Sequence, residues 1–202
     1  STPNTENTVR GPMDAFVENI QMNLGLVRRR IKSNNLWVKE NFIGRYTDTK
    51  TCILYINGIA DINIVDKVDM LLKRIDIDGI INSGNIKNLI EKENKSVFST
   101  IITTERPDKV SEALLNGKVA IIIDGCPYAL ILPSTINDYF KTPEDNFNKS
   151  INVTFTRIIR FIAFVITIFT PGIYIACITY NQEMLPTEFL INFASQRSSV
   201  PF

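Results

Sequence analysis

Residues 97–132 read VFSTIITTERPDKVSEALLNGKVAIIIDGCPYALIL. Val97 to Thr103 is rich in β-branched residues and predicts a strand. Thr104 to Asp108 is polar and joins that strand to a helix. Pro107 suits the first helical turn, the helix runs to Leu115, and Gly117 falls just past its end. Val119–Ile123 and Tyr128–Leu132 are apolar runs that predict two more strands. Asp124-Gly125-Cys126-Pro127 joins them. Asp-Gly is a hairpin signal, and Pro127 asks for a loop longer than two residues. Strands alternating with helices predict an α/β domain.

Upstream, Phe16, Val17, Ile20, Leu24, Val27 and Ile31 recur at three- and four-residue steps. That spacing predicts a helix, with Pro12 as its first residue and Arg28, Arg29 and Arg30 at its cation-favouring end. Cys52–Ile56 predicts a strand, bounded by Thr and Asn-Gly. Ile64, Val65, Val68, Leu71, Leu72 and Ile75 repeat at helical spacing. Ser83 is placed to cap a short helix carrying Ile86, Leu89 and Ile90.

Downstream, Phe161 to Tyr180 reads FIAFVITIFTPGIYIACITY, with no charged residue. At ~1.5 Å per residue it spans roughly 30 Å, the thickness of a bilayer core. Lys141, Lys149, Arg157 and Arg160 precede it, and Arg197 follows. The positive-inside rule then places the N-terminal part in the cytoplasm. Pro171-Gly172 falls inside the apolar run, where proline removes a backbone donor and favours a kink. Leu185-Pro186-Thr187 reads as a helix start, and Phe189, Leu190 and Phe193 as an amphipathic segment at the membrane. The expected division is residues 1–148 as a mixed-sheet cytoplasmic α/β domain, in one lobe or two, followed by residues 149–202. That second part begins a membrane domain with a transmembrane helix at about 158–180. The chain reads as a fragment of a longer protein.

Composition narrows the chemistry. Among 202 residues, 22 Lys+Arg oppose 21 Asp+Glu, and the net charge of +1 gives no footprint for nucleic acid. There is no histidine, which excludes Ser-His-Asp and Cys-His catalysis and His-ligated zinc. The three cysteines, Cys52, Cys126 and Cys177, form no CxxC and suit a reduced compartment. No Walker A loop, GxGxxG or GxSxG occurs. No cofactor or resident metal is expected.

Three constellations could carry chemistry. Asp76-Ile77-Asp78 is a DxD, a pattern able to hold Mg²⁺ or Mn²⁺ against a nucleotide-sugar diphosphate. Followed by Gly79, it also reads as a helix end and turn. Thr104-Glu105-Arg106-Pro107-Asp108 precedes a helix N-terminus, where anions bind. Glu105 and Asp108 would repel an anion, so capping and a local Glu105–Arg106 pair are the plainer reading. Arg28-Arg29-Arg30 suits phosphate or lipid headgroups, or simply a solvated helix end.

Several segments, in order, resemble the A subunit of the GerA family of spore germination receptors. They include Thr5-Glu6-Asn7-Thr8-Val9-Arg10-Gly11-Pro12, Asn23 to Ile31, Gly44-Arg45-Tyr46-Thr47, Tyr55 to Ala60, Arg74 to Gly79 and Ser83-Gly84. The strongest block runs from Thr104 through Asn116-Gly117 to Asp124-Gly125-Cys126-Pro127. Glu144-Asp145, Arg157 to Arg160, Pro171 to Ala176, Leu185 to Thr187 and Gln196 to Phe202 complete the set. Ser99, Cys126 and Asn146-Phe147 depart from the usual pattern.

The resemblance implies a nutrient-sensing receptor in the spore inner membrane of a sporulating bacterium. It implies no enzyme activity. Its partners would be a polytopic B subunit, a lipoprotein C subunit, further A subunits and membrane lipid. The A subunits would form or gate an ion channel that triggers germination. The candidate signalling and assembly residues are then Arg10, Arg28, Arg29, Arg30, Glu105, Arg106, Asp108, Asp124, Pro171 and Gly172. Two alternatives stand beside this. One is a membrane-anchored module binding a small molecule between lobes. The other is a metal-dependent transferase using Asp76 and Asp78.

Overall fold

A computed structural model describes residues 6, 12–79, 83–92, 99–140, 145 and 150–179. The chain falls into two compact units, Ser1–Phe147 and Asn148–Phe202.

The first unit is built on strands β1 (Leu36–Ile43), β2 (Thr49–Ile56), β3 (Ile102–Thr104), β4 (Val119–Ile123) and β5 (Ala129–Leu132). They form one sheet in the order β1-β2-β4-β5-β3, and every pairing is antiparallel. Helices α1 (Ile20–Arg30), α2 (Ile62–Arg74), α3 (Ser83–Lys92), α4 (Pro107–Leu115) and α5 (Ile136–Phe140) accompany it. The sheet's period-two alternation sorts its side chains onto two faces. Ile53, Tyr55, Val119, Ile121, Ile123, Leu130 and Leu132 share a core with Val65, Val68, Leu71 and Leu72 of α2 and Ile86 and Ile90 of α3. Cys52, Leu54, Ile56, Ala120, Ile122, Ala129 and Ile131 share the other with α1 and α4. Central β4 is therefore buried on both faces along its whole length. That is why its sequence is a continuous apolar run rather than an alternating one. Each such buried aliphatic side chain contributes about 1.5–3 kcal/mol.

Helix α4 spans Pro107–Leu115 and β4 spans Val119–Ile123, as the sequence predicts. Four expectations are corrected. The first helix begins at Ile20, not Pro12, because Asn19 caps it by accepting from the Gln21 and Met22 amides. Phe16 and Val17 precede the helix yet keep its apolar spacing: the Phe16 amide donates to the Glu105 carbonyl and the Val17 amide to Asn23 Oδ1. Strand β1 has no counterpart among the expected elements. It lies at the sheet edge, and Lys39-Glu40 interrupts its pattern. The β3 ladder covers only Ile102–Thr104; residues 97 and 98 of the expected strand lie outside the described residues. Ser83 opens α3 as its first helical residue.

Two interior features have definite physical consequences. Asp69 is 5% exposed and accepts from Lys39 Nζ at 2.9 Å, Lys73 Nζ at 2.8 Å and Asn41 Nδ2 at 2.9 Å. Burial pushes its carboxyl up, but the hydrogen bonds from Lys73, Lys39 and Asn41 outweigh burial and hold it at about 2. Burial pushes the Cys52 thiol up to about 11.

The second unit contains α6 (Ser150–Thr179). Its Asn152–Cys177 portion, 26 residues with none buried, is long and apolar enough to cross a membrane. At ~1.5 Å per residue it is roughly 39 Å long. Pro171 lies inside it. The hydroxyls of Thr156, Thr167 and Thr170 donate to the carbonyls of Asn152, Ala163 and Ile166, one turn back. The expected amphipathic segment, Leu185 to Phe193, lies outside the described residues.

Three substitutions and one titration probe the first unit. Gly117 has φ +80°, and an added Cβ would meet the Ile59 carbonyl oxygen at 3.0 Å. Gly117→Ala should cost about 1–3 kcal/mol, while Gly25→Ala, which meets nothing, should stabilise by about 0.5–1 kcal/mol. Opposite shifts in melting temperature are expected. For Asp69 the folded pKa lies below the unfolded one. Its stabilisation is complete above pH ~4 and lost as pH falls toward 2, roughly 2 kcal/mol in all. Asp69→Asn should flatten that part of the acid limb in urea titrations at stepped pH.

Candidate functional site

The Thr104–Asp108 junction is where the expected residues converge. Arg106 is the N-cap residue of α4 and is 0% exposed. Its guanidinium makes a two-pronged pair with Asp108, Nε to Oδ1 at 3.1 Å and Nη2 to Oδ2 at 2.8 Å. The expected Glu105–Arg106 pair is thus replaced by an Arg106–Asp108 pair. Residues 106 and 108 face each other across the helix start, whereas the Glu105 carboxylate accepts the Glu6 amide at 2.8 Å. Arg106 also donates to main-chain carbonyls, Nη1 to Glu6 at 3.3 Å and Nη2 to Pro12 at 3.3 Å. A planar, permanently charged fork suits this simultaneous task.

Glu6 completes the junction. Its carboxylate accepts from Thr104 Oγ1 at 2.7 Å and from Lys109 Nζ at 3.0 Å. Thr104 Oγ1 also accepts the Arg106 amide at 3.2 Å. Glu105 therefore grips the N-terminal segment twice, by its carboxylate at Glu6 and by its carbonyl at Phe16. The segment continues to the β4–β5 turn, where the Gly125 amide donates to the Glu18 carbonyl at 2.8 Å. There Asp124 Oδ1 accepts the Ile20 amide at 3.1 Å. Glu105, Arg106 and Asp124 each contact this N-terminal part of the chain, and Asp108 holds Arg106.

Other candidates lie apart. Arg29 and Arg30 both reach Asp14 Oδ2, at 2.5 and 3.0 Å, and Arg28 is exposed at the end of α1. Arg10 lies outside the described residues. Pro171 and Gly172 belong to α6, in the second unit. Asp76 receives the Arg45 fork on both carboxylate oxygens, at 2.7 and 2.5 Å. The carbonyls of Ile77 and Asp78 accept the Arg45 and Tyr46 amides. The DxD thus clasps the β1–β2 turn. Among the described residues, no group of three or more His, Cys, Asp or Glu is placed to hold a metal ion.

The roles of Glu6, Thr104 and Lys109 are not legible in the sequence alone. Lys109 carries the one available signal, since a cation in the first turn opposes the helix dipole and needs an acid nearby. Chemically, the junction pairs each charge with an opposite charge or a peptide dipole. It is built to hold a stretch of chain.

The Bacillus/Clostridium GerA spore germination protein family matches residues 1–202. The chain belongs to the GerA family. Spore germination protein KA of Bacillus subtilis (strain 168) is 42% identical over 200 residues, covering 99% of this chain and 37% of that protein. Spore germination protein B1 of the same organism is 39% identical over 200 residues, covering 99% and 41% respectively. The chain thus spans about two fifths of the length of these relatives. A crystal structure of the N-terminal domain of the A subunit of the Bacillus megaterium spore germinant receptor GerK3 superposes with a TM-score of 0.50 at 46% identity. It covers 61% of this chain and 98% of that one.

Removing the fork isolates its role. Arg106→Ala would leave Asp108 and two peptide carbonyls without their cation, and should cost about 3 kcal/mol. Arg106→Lys keeps the charge but not the fork and should recover only part of it. Chemical denaturation gives the stability. Amide exchange around residues 12–18 should quicken in the alanine variant.

Proposed function

We propose that the chain is the N-terminal part of the A subunit of a nutrient-sensing spore germination receptor. The observation that carries this is the likeness to spore germination proteins along 99% of the chain, α/β unit and apolar helix alike. A receptor subunit must link a folded soluble body to the membrane, and one polypeptide here carries both. Helix α6 crosses the spore inner membrane. Arg157 and Arg160 near its start, with Lys141 and Lys149 before them, favour a cytoplasmic α/β unit. The subunit assembles with B and C subunits and with further A subunits in lipid. Together they form or gate an ion channel.

Pro171 gives α6 a mechanical role in this reading. Proline has no N–H for the Thr167 carbonyl, which lies one turn back. The freed acceptor and loosened turn make this a place where the helix bends or changes partner. Arg29, Arg30 and the Thr104–Asp108 junction organise the cytoplasmic unit.

Spores lacking this gene, in a background cleared of related receptor genes, should fail to respond to the nutrient that the intact gene detects. Complementation should restore the response. Unchanged germination in that background would overturn the receptor assignment. Pro171→Ala should slow or abolish the response while the α/β unit keeps its melting temperature. Normal germination by that variant would remove the proline from the mechanism.

A further inference from the structure

The two ends of the sheet differ in character. One end holds the β1–β2 and β4–β5 turns and meets the N-terminal segment through Asp124 and Gly125. Phe42 and Tyr46 are exposed there, but among the exposed carboxylates of Asp48, Asp76, Asp78 and Asp124. At the other end β1 and β4 begin and β2 and β5 finish, since Leu36 pairs with Ile56 and Val119 with Leu132. Trp37, Ile59, Ile62, Leu115 and Tyr139 flank those four neighbouring strands, and each is between 49% and 58% exposed. Scattered apolar side chains need no account, but a face of large ones does.

This face is held in place. Gly117 lies so close to Ile59 that an added Cβ would meet its carbonyl oxygen at 3.0 Å and its Cγ2 at 3.7 Å, so the turns after β2 and before β4 are packed together. The Asn57 amide donates to the Asn35 carbonyl at 2.9 Å and ties in the start of β1. The Trp37 ring lies 6.1 Å from that of Tyr55, and the Tyr139 hydroxyl donates to the Ser99 carbonyl at 2.6 Å. Charges at this end are used internally. Lys118 pairs with Asp138, and Asp61 caps α2 by accepting the Asn63 amide. The same end releases the chain: β5 finishes at Leu132, α5 ends at Phe140, and α6 starts at Ser150. The connection between α5 and α6 reaches at most roughly 35 Å. Because α6 is long and apolar enough to cross a membrane, that tether presents the face to lipid at high effective concentration. Tryptophan, tyrosine and aliphatic side chains suit the boundary of a bilayer.

We propose that this end of the α/β unit is a lipid-contact face, seated in the interfacial region of the bilayer, with Trp37, Ile59, Ile62 and Leu115 as its anchors. The contact is apolar, so zwitterionic lipid is sufficient and added salt does not weaken it. The proposal rests on α6 crossing a membrane and not on the receptor role.

Trp37 is the one tryptophan of the chain, so its fluorescence reports on this face without any substitution. The 202-residue chain is reconstituted into vesicles of dioleoylphosphatidylcholine, or of the same lipid brominated on its acyl chains. The chain should float with the vesicles after a carbonate wash, as an inserted helix does. Trp37 emission should then be about twofold lower in the brominated vesicles, as for an interfacial tryptophan. Bromine quenches only at contact, so a tether that merely keeps the unit nearby leaves emission unchanged. Ile59→Asn combined with Leu115→Asn changes two half-exposed positions and should restore most of the emission while the unit still melts cooperatively. Equal emission in the two lipids overturns the bilayer as occupant and leaves the face to a polypeptide partner. Undiminished quenching in the paired variant overturns Ile59 and Leu115 as anchors. If that variant does not melt cooperatively, the comparison of the two lipids with the unaltered chain decides. A chain that carbonate strips from the vesicles overturns the membrane span and this proposal together, whereas one that stays without being quenched overturns this proposal alone.

Discussion

A strand with no water on either side constrains everything around it. Val119 to Ile123 is apolar at all five positions and wholly buried, so both faces of the sheet need a cover. Helices α2 and α3 supply one and α1 and α4 the other. Strands β2 and β5 flank β4 and share its two-sided burial, while the charged, partly exposed residues fall to edge strand β1. The order of elements along the chain follows from that demand. Each crossing from one strand to a non-neighbour deposits a helix on one face or the other.

That arrangement leaves the start of α4 in need of satisfaction, since its first amides have no helical acceptors. A side-chain cap from residue 106 does not supply it. The acid Asp108 lies in that first turn, where it favours the helix dipole, and the buried Arg106 guanidinium donates both to it and to a distant stretch of chain. One buried cation thus fixes a helix start and an incoming segment together. Asp69 shows the same economy on the opposite face, where one buried carboxylate gathers two lysines and an asparagine from β1 and α2.

Legibility tracks locality. Helix α4 is readable to its ends because Pro107 and Gly117 bracket an unbroken apolar rhythm. The β4–β5 loop is readable because Asp124-Gly125 and Pro127 are neighbours. The start of α1 is not. Phe16 and Val17 continue the helical spacing while their amides are taken by Glu105 and Asn23, and nothing nearby marks that diversion. Strand β1 is hidden by Lys39 and Glu40, whose partners Asp69 and Lys50 lie on other elements. At the candidate site, the Thr104–Asp108 block stands out through likeness to known proteins. Its local spacing suggests a pair between adjacent residues 105 and 106, where the structure pairs 106 with 108. Glu6 is invisible as a partner because contacts about a hundred residues apart leave no local pattern.

The threonines of α6 raise a different matter. Thr156, Thr167 and Thr170 each return their hydroxyl proton to a carbonyl of their own helix. A hydroxyl whose proton is used in this way leaves the side chain with the shape of valine and only the oxygen's two lone pairs as unused polarity. Hydropathy scales that charge threonine for its oxygen therefore understate how readily this helix dissolves in hydrocarbon. Its tolerance for threonine comes from self-contained polarity and demands neither water nor a neighbouring helix.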